Sequence, residues 1–145
     1  MILIDTGVLV ALVNGRDVNH QVCTEWFLSS AIADLLIPSP LISEICYMVA
    51  LRGGPNAEHL LLLDLAEGLY GQVVEVTHQD LQRMAELVDQ YADLPLGGAD
   101  ASIIAIAERL GITEVATVDR RRFSVVRPHH TGALTLLPQQ LSSSG

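Results

Sequence analysis

Four apolar stretches of this 145-residue chain each carry one isolated carboxylate, and that pattern limits what the chain can fold into. The opening "MILIDTGVLVALVNG" holds Asp5 as its single charge. Glu44 is the only charged residue between Asp34 and Arg52, and Asp100 the only one between Asp93 and Glu108. Asp119 ends the apolar run "VATVD". An ionised carboxylate taken out of water is costly unless something compensates it, so each of these acids needs a partner in the fold.

Around them the sequence alternates between two kinds of segment. Residues 2–5 read as a buried strand, and Thr6 can cap a helix through about Leu12. A helix is expected over 20–33, with Val22, Trp26, Phe27 and Ala31 inward, then a strand over 35–40 ended by prolines. Helices follow at 41–52 and 56–67, broken by "RGGPN", then a strand at 72–76 and a helix at 79–91. After the loop "DLPLGG", Asp100 to Leu110 reads as a helix closed by Gly111. A strand at 113–119, the basic stretch "RRRFSVVR" and a last edge strand at 133–137 complete the chain. The alternation predicts an α/β fold, a mostly parallel sheet of about four to five strands with helices on both faces. One domain is expected over 1–140, with a disordered tail at 141–145.

In open parallel sheets, ligands bind beyond the carboxyl ends of the strands. Asp5 and Asp119 each end a strand, and the helix carrying Asp100 runs directly into the strand of Asp119. Each acid also has a local explanation. Asp5 can cap its helix, Glu44 can pair with Arg52 or another arginine, Asp100 can complement a helix dipole, and Asp119 can pair with the arginines that follow it. Converging, the four would repel one another, and a divalent cation would relieve them. A donor set of oxygens alone, without His or Cys, points to Mg²⁺ or Mn²⁺ rather than Zn²⁺.

Composition narrows the chemistry further. All eight basic residues are arginine, which excludes a P-loop lysine, a Schiff-base lysine and a lysine general base. The net charge of -9 argues against a nucleic-acid partner unless cations are concentrated locally, as they are at Arg120, Arg121, Arg122 and Arg127. Such a cationic lip beside an acidic metal site suits a phosphodiester. The five histidines lack zinc spacing, and His129 and His130 are expected in a solvated loop. Cys23 and Cys46 read as reduced core residues, as in a cytoplasmic protein, and no run is long enough for a membrane span.

At these residues the sequence resembles the PIN-domain ribonucleases, and among them the VapC toxins of bacterial toxin–antitoxin pairs. "ILIDTGVLVAL", "PSPLISEICYMV", "YADLPLGGADASIIAIAERLG" and "VATVDRRRFSVVRP" match the family's four motifs in order. The resemblance implies a PIN-like three-layer sandwich and a Mg²⁺- or Mn²⁺-dependent endoribonuclease, dimeric and held inactive by a cognate antitoxin. It makes Asp5, Glu44 and Asp100 metal ligands, with Asp119 completing the set. Thr6 and Thr117 match positions where the family carries a small hydroxyl residue near the metal, and Asp93 lies near the third motif. Arg120, Arg121 and Arg122 become possible RNA contacts, and a groove around 41–65 a seat for an antitoxin helix or strand. Receiver domains also gather acids around Mg²⁺, but they need an early acidic pair and a late lysine that this chain lacks. Phosphatases with a D-x-D nucleophile are excluded because Thr-Gly-Val follows Asp5. A PIN domain that binds RNA or a partner without cutting is the remaining alternative.

Overall fold

In the computed structural model, which describes residues 1–141, the opening strand lies at the centre of everything else. Strand β1 (Ile2–Ile4) pairs with β2 (Leu35–Pro38) on one side and β4 (Glu114–Ala116) on the other. Strand β3 (Gln72–Val74) adds beyond β2, and β5 (Thr135–Leu137) beyond β4. The order is β3-β2-β1-β4-β5 and every pairing is parallel. A parallel sheet is covered on both faces, so its inner strands read as continuous apolar runs. Leu3 and Ile4 are fully buried accordingly, as are Leu35, Ile37, Val115 and Ala116.

Six helices make the crossovers: α1 (Thr6–Val13), α2 (His20–Leu28), α3 (Leu41–Ala66), α4 (His78–Gln90), α5 (Gly98–Leu110) and α6 (Arg120–Val125). Helix α2 stops five residues short of expectation, and a 3₁₀ turn covers Ile32–Asp34. The break expected at "RGGPN" is present inside α3, where Gly54 leaves helical geometry (φ 76°, ψ -176°) just before Pro55. The basic stretch after Asp119, given no structure from sequence, forms α6. The tail expected at 141–145 falls at positions 142–145 outside the described residues. Among the described residues, no helix is long and apolar enough to cross a membrane.

Helix α5 is buried on nearly all sides, from Ala101 through Ala107, and packs along α4. Two ion pairs fasten that contact. The Arg83 guanidinium donates to both oxygens of Glu108 at 2.7 and 3.0 Å, and Arg109 reaches the buried Asp80 at 3.0 Å. Asp80 and Glu108 therefore are not the solvated surface acids their helical positions suggest. Asp80 also completes a capping box with Thr77 at the start of α4. His130 departs from expectation too, since its ring nitrogen meets the Ile112 carbonyl at 2.6 Å in a half-buried setting. Cys23 and Cys46 are buried free thiols, and burial pushes Cys23 up to about 11.

Gly71 and Gly111 both have positive φ, but only Gly71 is crowded. A Cβ there would stand 2.6 Å from the Leu35 carbonyl oxygen, at φ 120°, whereas Gly111 opens on empty space at φ 68°. Gly71→Ala is expected to lower unfolding free energy by on the order of 2–4 kcal/mol, and Gly111→Ala by about 1 kcal/mol. Urea midpoints of the two variants check this ordering.

Candidate functional site

The sheet order creates a switch point between β1 and β4. The chain builds outward through β2 and β3 on one side, and through β4 and β5 on the other. The connections therefore leave in opposite directions and open a crevice beyond the carboxyl ends of β1 and β4. Asp5 stands at the end of β1 and Asp119 shortly after β4. The seam is closed by the Asp5 N–H donating to the Ala116 carbonyl at 2.9 Å.

Asp5 is buried at 8% exposure and its two oxygens have separate work. Oδ1 accepts from the Thr6 N–H at 2.8 Å, the N-capping bond that starts α1. Oδ2 accepts from Thr117 Oγ1 at 2.8 Å, and the same hydroxyl oxygen accepts from the Asp119 N–H at 3.0 Å. Thr117 thus orients Asp5 and the backbone of Asp119 together. The capping explanation for Asp5 is correct as far as it goes, but it leaves the charge uncompensated. Burial pushes the Asp5 carboxyl up to about 6, against the lowering effect of the Thr117 and Thr6 bonds. Asp100 and Glu44 raise it further through their negative potential. The hydroxyl oxygen of Thr6, the next residue in the chain, is itself buried without a hydrogen-bond partner among the described residues.

Asp100 lies buried in the first turn of α5. Burial raises its pKa, Arg122 and the Gly97 backbone oppose the shift, and Asp119 and Glu44 add to it. Asp119 is half-buried, and Arg122 reaches it and Asp100 alike at 3.2 Å. The arginine pairing foreseen for Asp119 is therefore real.

The apolar helix around Glu44 predicts that this acid points into the protein or a cleft, and the structure excludes the interior. Glu44 is exposed, and among the described residues it makes no ion pair with Arg52 or any other base. Leu41, Ile45 and Val49 occupy the buried stripe of α3, and position 44 sits a turn's fraction away on its rim. Its charge still acts on both Asp5 and Asp100. Asp93 is exposed in the loop after α4 and is not among the charges acting most strongly on either acid.

Asp5, Glu44 and Asp100 are thus within electrostatic reach of one another, and Asp119 within reach of Asp100, yet among the described residues no three His, Cys, Asp or Glu side chains form a ready-made metal cage. The donor set itself suits a hard divalent cation: carboxylates, an orphaned hydroxyl, and no thiolate or imidazole.

The cationic lip is thinner than the sequence suggests. Arg120 turns to the carbonyls of Pro138 and Gln139, Arg122 to the acids, and Arg127 to the carbonyls of Ser124, Val125 and Val126 at the end of α6. Of the expected RNA contacts, Arg121 is exposed, and among the described residues its guanidinium makes no ion pair, while its carbonyl accepts from the Ser124 hydroxyl at 3.0 Å. The bridging position of Arg122 is the feature missed in the sequence. Its signal is the three-residue spacing from Asp119, one helical turn, within a stretch not recognised as helical.

The raised pKa of Asp5 has a signed consequence. Its carboxyl titrates near 3.8 when unfolded and near 6 when folded, so the fold holds the extra proton between those values. Metal-free stability should fall as pH rises from about 4 to 6, by on the order of 2–3 kcal/mol for this group. Asp5→Asn, which keeps the shape and the cap, is expected to melt higher than the native chain at pH 8 and close to it at pH 3.5, read by circular dichroism without metal.

Comparison with known proteins identifies the family of the chain as a whole. The PIN-domain family profile matches residues 2–127. Ribonuclease VapC26 of Mycobacterium tuberculosis is 34% identical over 137 residues, covering 94% of this chain and 99% of that protein. The crystal structure of M. tuberculosis VapC20, described as a sarcin-ricin loop cleaving toxin, superposes with a TM-score of 0.72 at 19% identity. It covers 79% of this chain and 87% of that one. A toxin–antitoxin complex from Klebsiella pneumoniae gives 0.66 at 19% identity, covering 87% and 92%. With the profile match spanning β1 through α6, the chain belongs to the PIN-domain family, among the VapC ribonucleases.

Proposed function

We propose that this chain is a divalent-metal-dependent endoribonuclease, the toxin half of a toxin–antitoxin pair, with Asp5, Glu44, Asp100 and Asp119 as its metal-binding acids. The observation that carries the reading is the buried Asp5 at the β1–β4 switch point, coupled to Asp100 and Glu44 and lacking a basic partner. Asp5 and Asp100 are the inner ligands because they are buried and held by backbone on well-packed elements. Glu44 and Asp119, more open to solvent, complete the set. Thr117 keeps Asp5 aimed, and the free Thr6 hydroxyl can accept or donate to a water at the site. When bound, Mg²⁺ or Mn²⁺ would activate a water and stabilise the leaving oxygen of the phosphodiester. Arg121 is the cation available to meet an incoming phosphate.

Purified protein with Mg²⁺ should cut structured RNA, and chelation should stop it. Asp5→Asn and Asp100→Asn should each lower kcat/KM by roughly 100-fold or more. Unchanged cleavage by Asp5→Asn would sink the assignment, and RNA binding without cleavage by the native chain would favour a non-cutting module.

The antitoxin seat is proposed on α3. A groove is lined by Leu12, Val13, Val49, Ala57, Leu60, Leu61 and Tyr70, and α3 also exposes Tyr47, Leu51 and Leu63. An amphipathic segment laid there buries apolar surface already presented to water. A second copy of the chain is proposed against the exposed Leu81 and Val88 of α4, flanked by Met84. Leu60→Asp should weaken antitoxin binding at least roughly tenfold in a calorimetric titration while leaving cleavage by the free toxin unchanged.

A further inference from the structure

We propose that Arg122 is an internal competitor for the metal, bridging Asp100 and Asp119 in the metal-free chain and lowering cation affinity until it is displaced. The inference rests on the metal-dependent reading above. A single guanidinium nitrogen, Nη1, stands 3.2 Å from Asp100 Oδ2 and 3.2 Å from Asp119 Oδ2. That nitrogen donates to Asp100 and meets Asp119 as an ion pair. It therefore compensates both acids at once, and a cation taken up by Asp100 or Asp119 would compete with it.

The other ion-paired arginines are committed elsewhere: Arg83 to Glu86 and Glu108, and Arg109 to Asp80. Among the described residues, Arg122 is the one whose ion pairs reach the acids of the site. Its side chain is 38% exposed, so the guanidinium can swing into solvent without repacking the core. Asp100 cannot follow, because α5 is buried around it. Arg122 lies one helical turn beyond Asp119 on α6, so after release it stays tethered beside the site.

Two opposite consequences follow for any change at Arg122. Without its charge, Asp100 and Asp119 face each other uncompensated and the metal-free fold weakens. The incoming cation, however, no longer has to break two ion pairs, and binds more tightly. A residue that merely buttressed the structure would lower both quantities together.

Calorimetric titration of Mn²⁺ into the metal-free native chain, Arg122→Gln, Arg122→Lys and Asp100→Asn separates the possibilities, with the metal-free melting temperature of each. Arg122→Gln is expected to bind Mn²⁺ roughly tenfold more tightly and to melt lower without metal. Arg122→Lys, which keeps the charge, is expected to bind close to the native affinity. A folded Arg122→Gln with unchanged or weaker Mn²⁺ affinity overturns the proposal. Should that variant not fold, guanidinium NMR of the native chain decides. The Arg122 signals should move on adding Mg²⁺ in the native chain and stay fixed in Asp100→Asn, and signals indifferent to Mg²⁺ overturn it. If Asp100→Asn binds Mn²⁺ as the native chain does, the metal reading itself fails and this proposal with it. Loss of binding in Asp100→Asn beside an unaltered Arg122→Gln defeats the Arg122 proposal alone.

Discussion

The hydrogen bond between Thr117 and Asp5 joins two residues 112 apart in sequence, and much of the molecule serves to hold it. Asp5 ends the central strand, and its backbone extends the β1–β4 pairing by one bond to Ala116. Leu3 and Ile4 cannot shift, because sheet neighbours and helices bury them completely. The carboxylate therefore stays in a setting that penalises its charge, with one oxygen spent on starting α1 and the other on Thr117. A buried acid satisfied by neutral donors alone is a group prepared for an external cation rather than an internal base.

Around that fixed point the acids form a gradient of accessibility. Asp5 and Asp100 are buried, Asp119 is half-buried and Glu44 is exposed. The inner pair is set by a strand and by a helix packed on nearly all sides, so its geometry is rigid. The outer pair lies on the rim of α3 and at the entrance to the short α6, where side chains can adjust. A rigid inner pair with adjustable outer groups allows tight contact with an ion without demanding a perfect cage beforehand.

Much of this was legible from the residues. Short apolar runs such as "ILID" and "EVATVD" can only be inner strands, and their alternation with helical segments implies the parallel sheet that is found. Isolation within apolar sequence correctly marked Asp5 and Asp100 as unusual, because burial is what local composition encodes. The exposure of Glu44 is not legible for the same reason: an apolar helix has a rim as well as a core, and composition does not separate them by one residue. The ion pairs Arg83–Glu108 and Arg109–Asp80 were invisible, since their partners are 25 and 29 residues apart and meet only when α4 lies along α5. The pairing of Asp119 with a following arginine is legible, but the reach of Arg122 to Asp100 is not, because the two sit 22 residues apart and six residues are too few to announce a helix.

Helix α5 carries Asp100 in its first turn and Glu108 and Arg109 in its last. Eight residues of α-helix span about 12 Å, so the two ends cannot touch each other directly. Yet a helix behaves as a stiff rod, and its far end is gripped by two guanidinium–carboxylate clamps to α4 and its approach. Any roll of the rod that would swing Asp100 away from Asp5 must first tear those clamps. The azimuth of a site carboxylate is thus set at the opposite edge of the sheet, by charges that never meet the ligand.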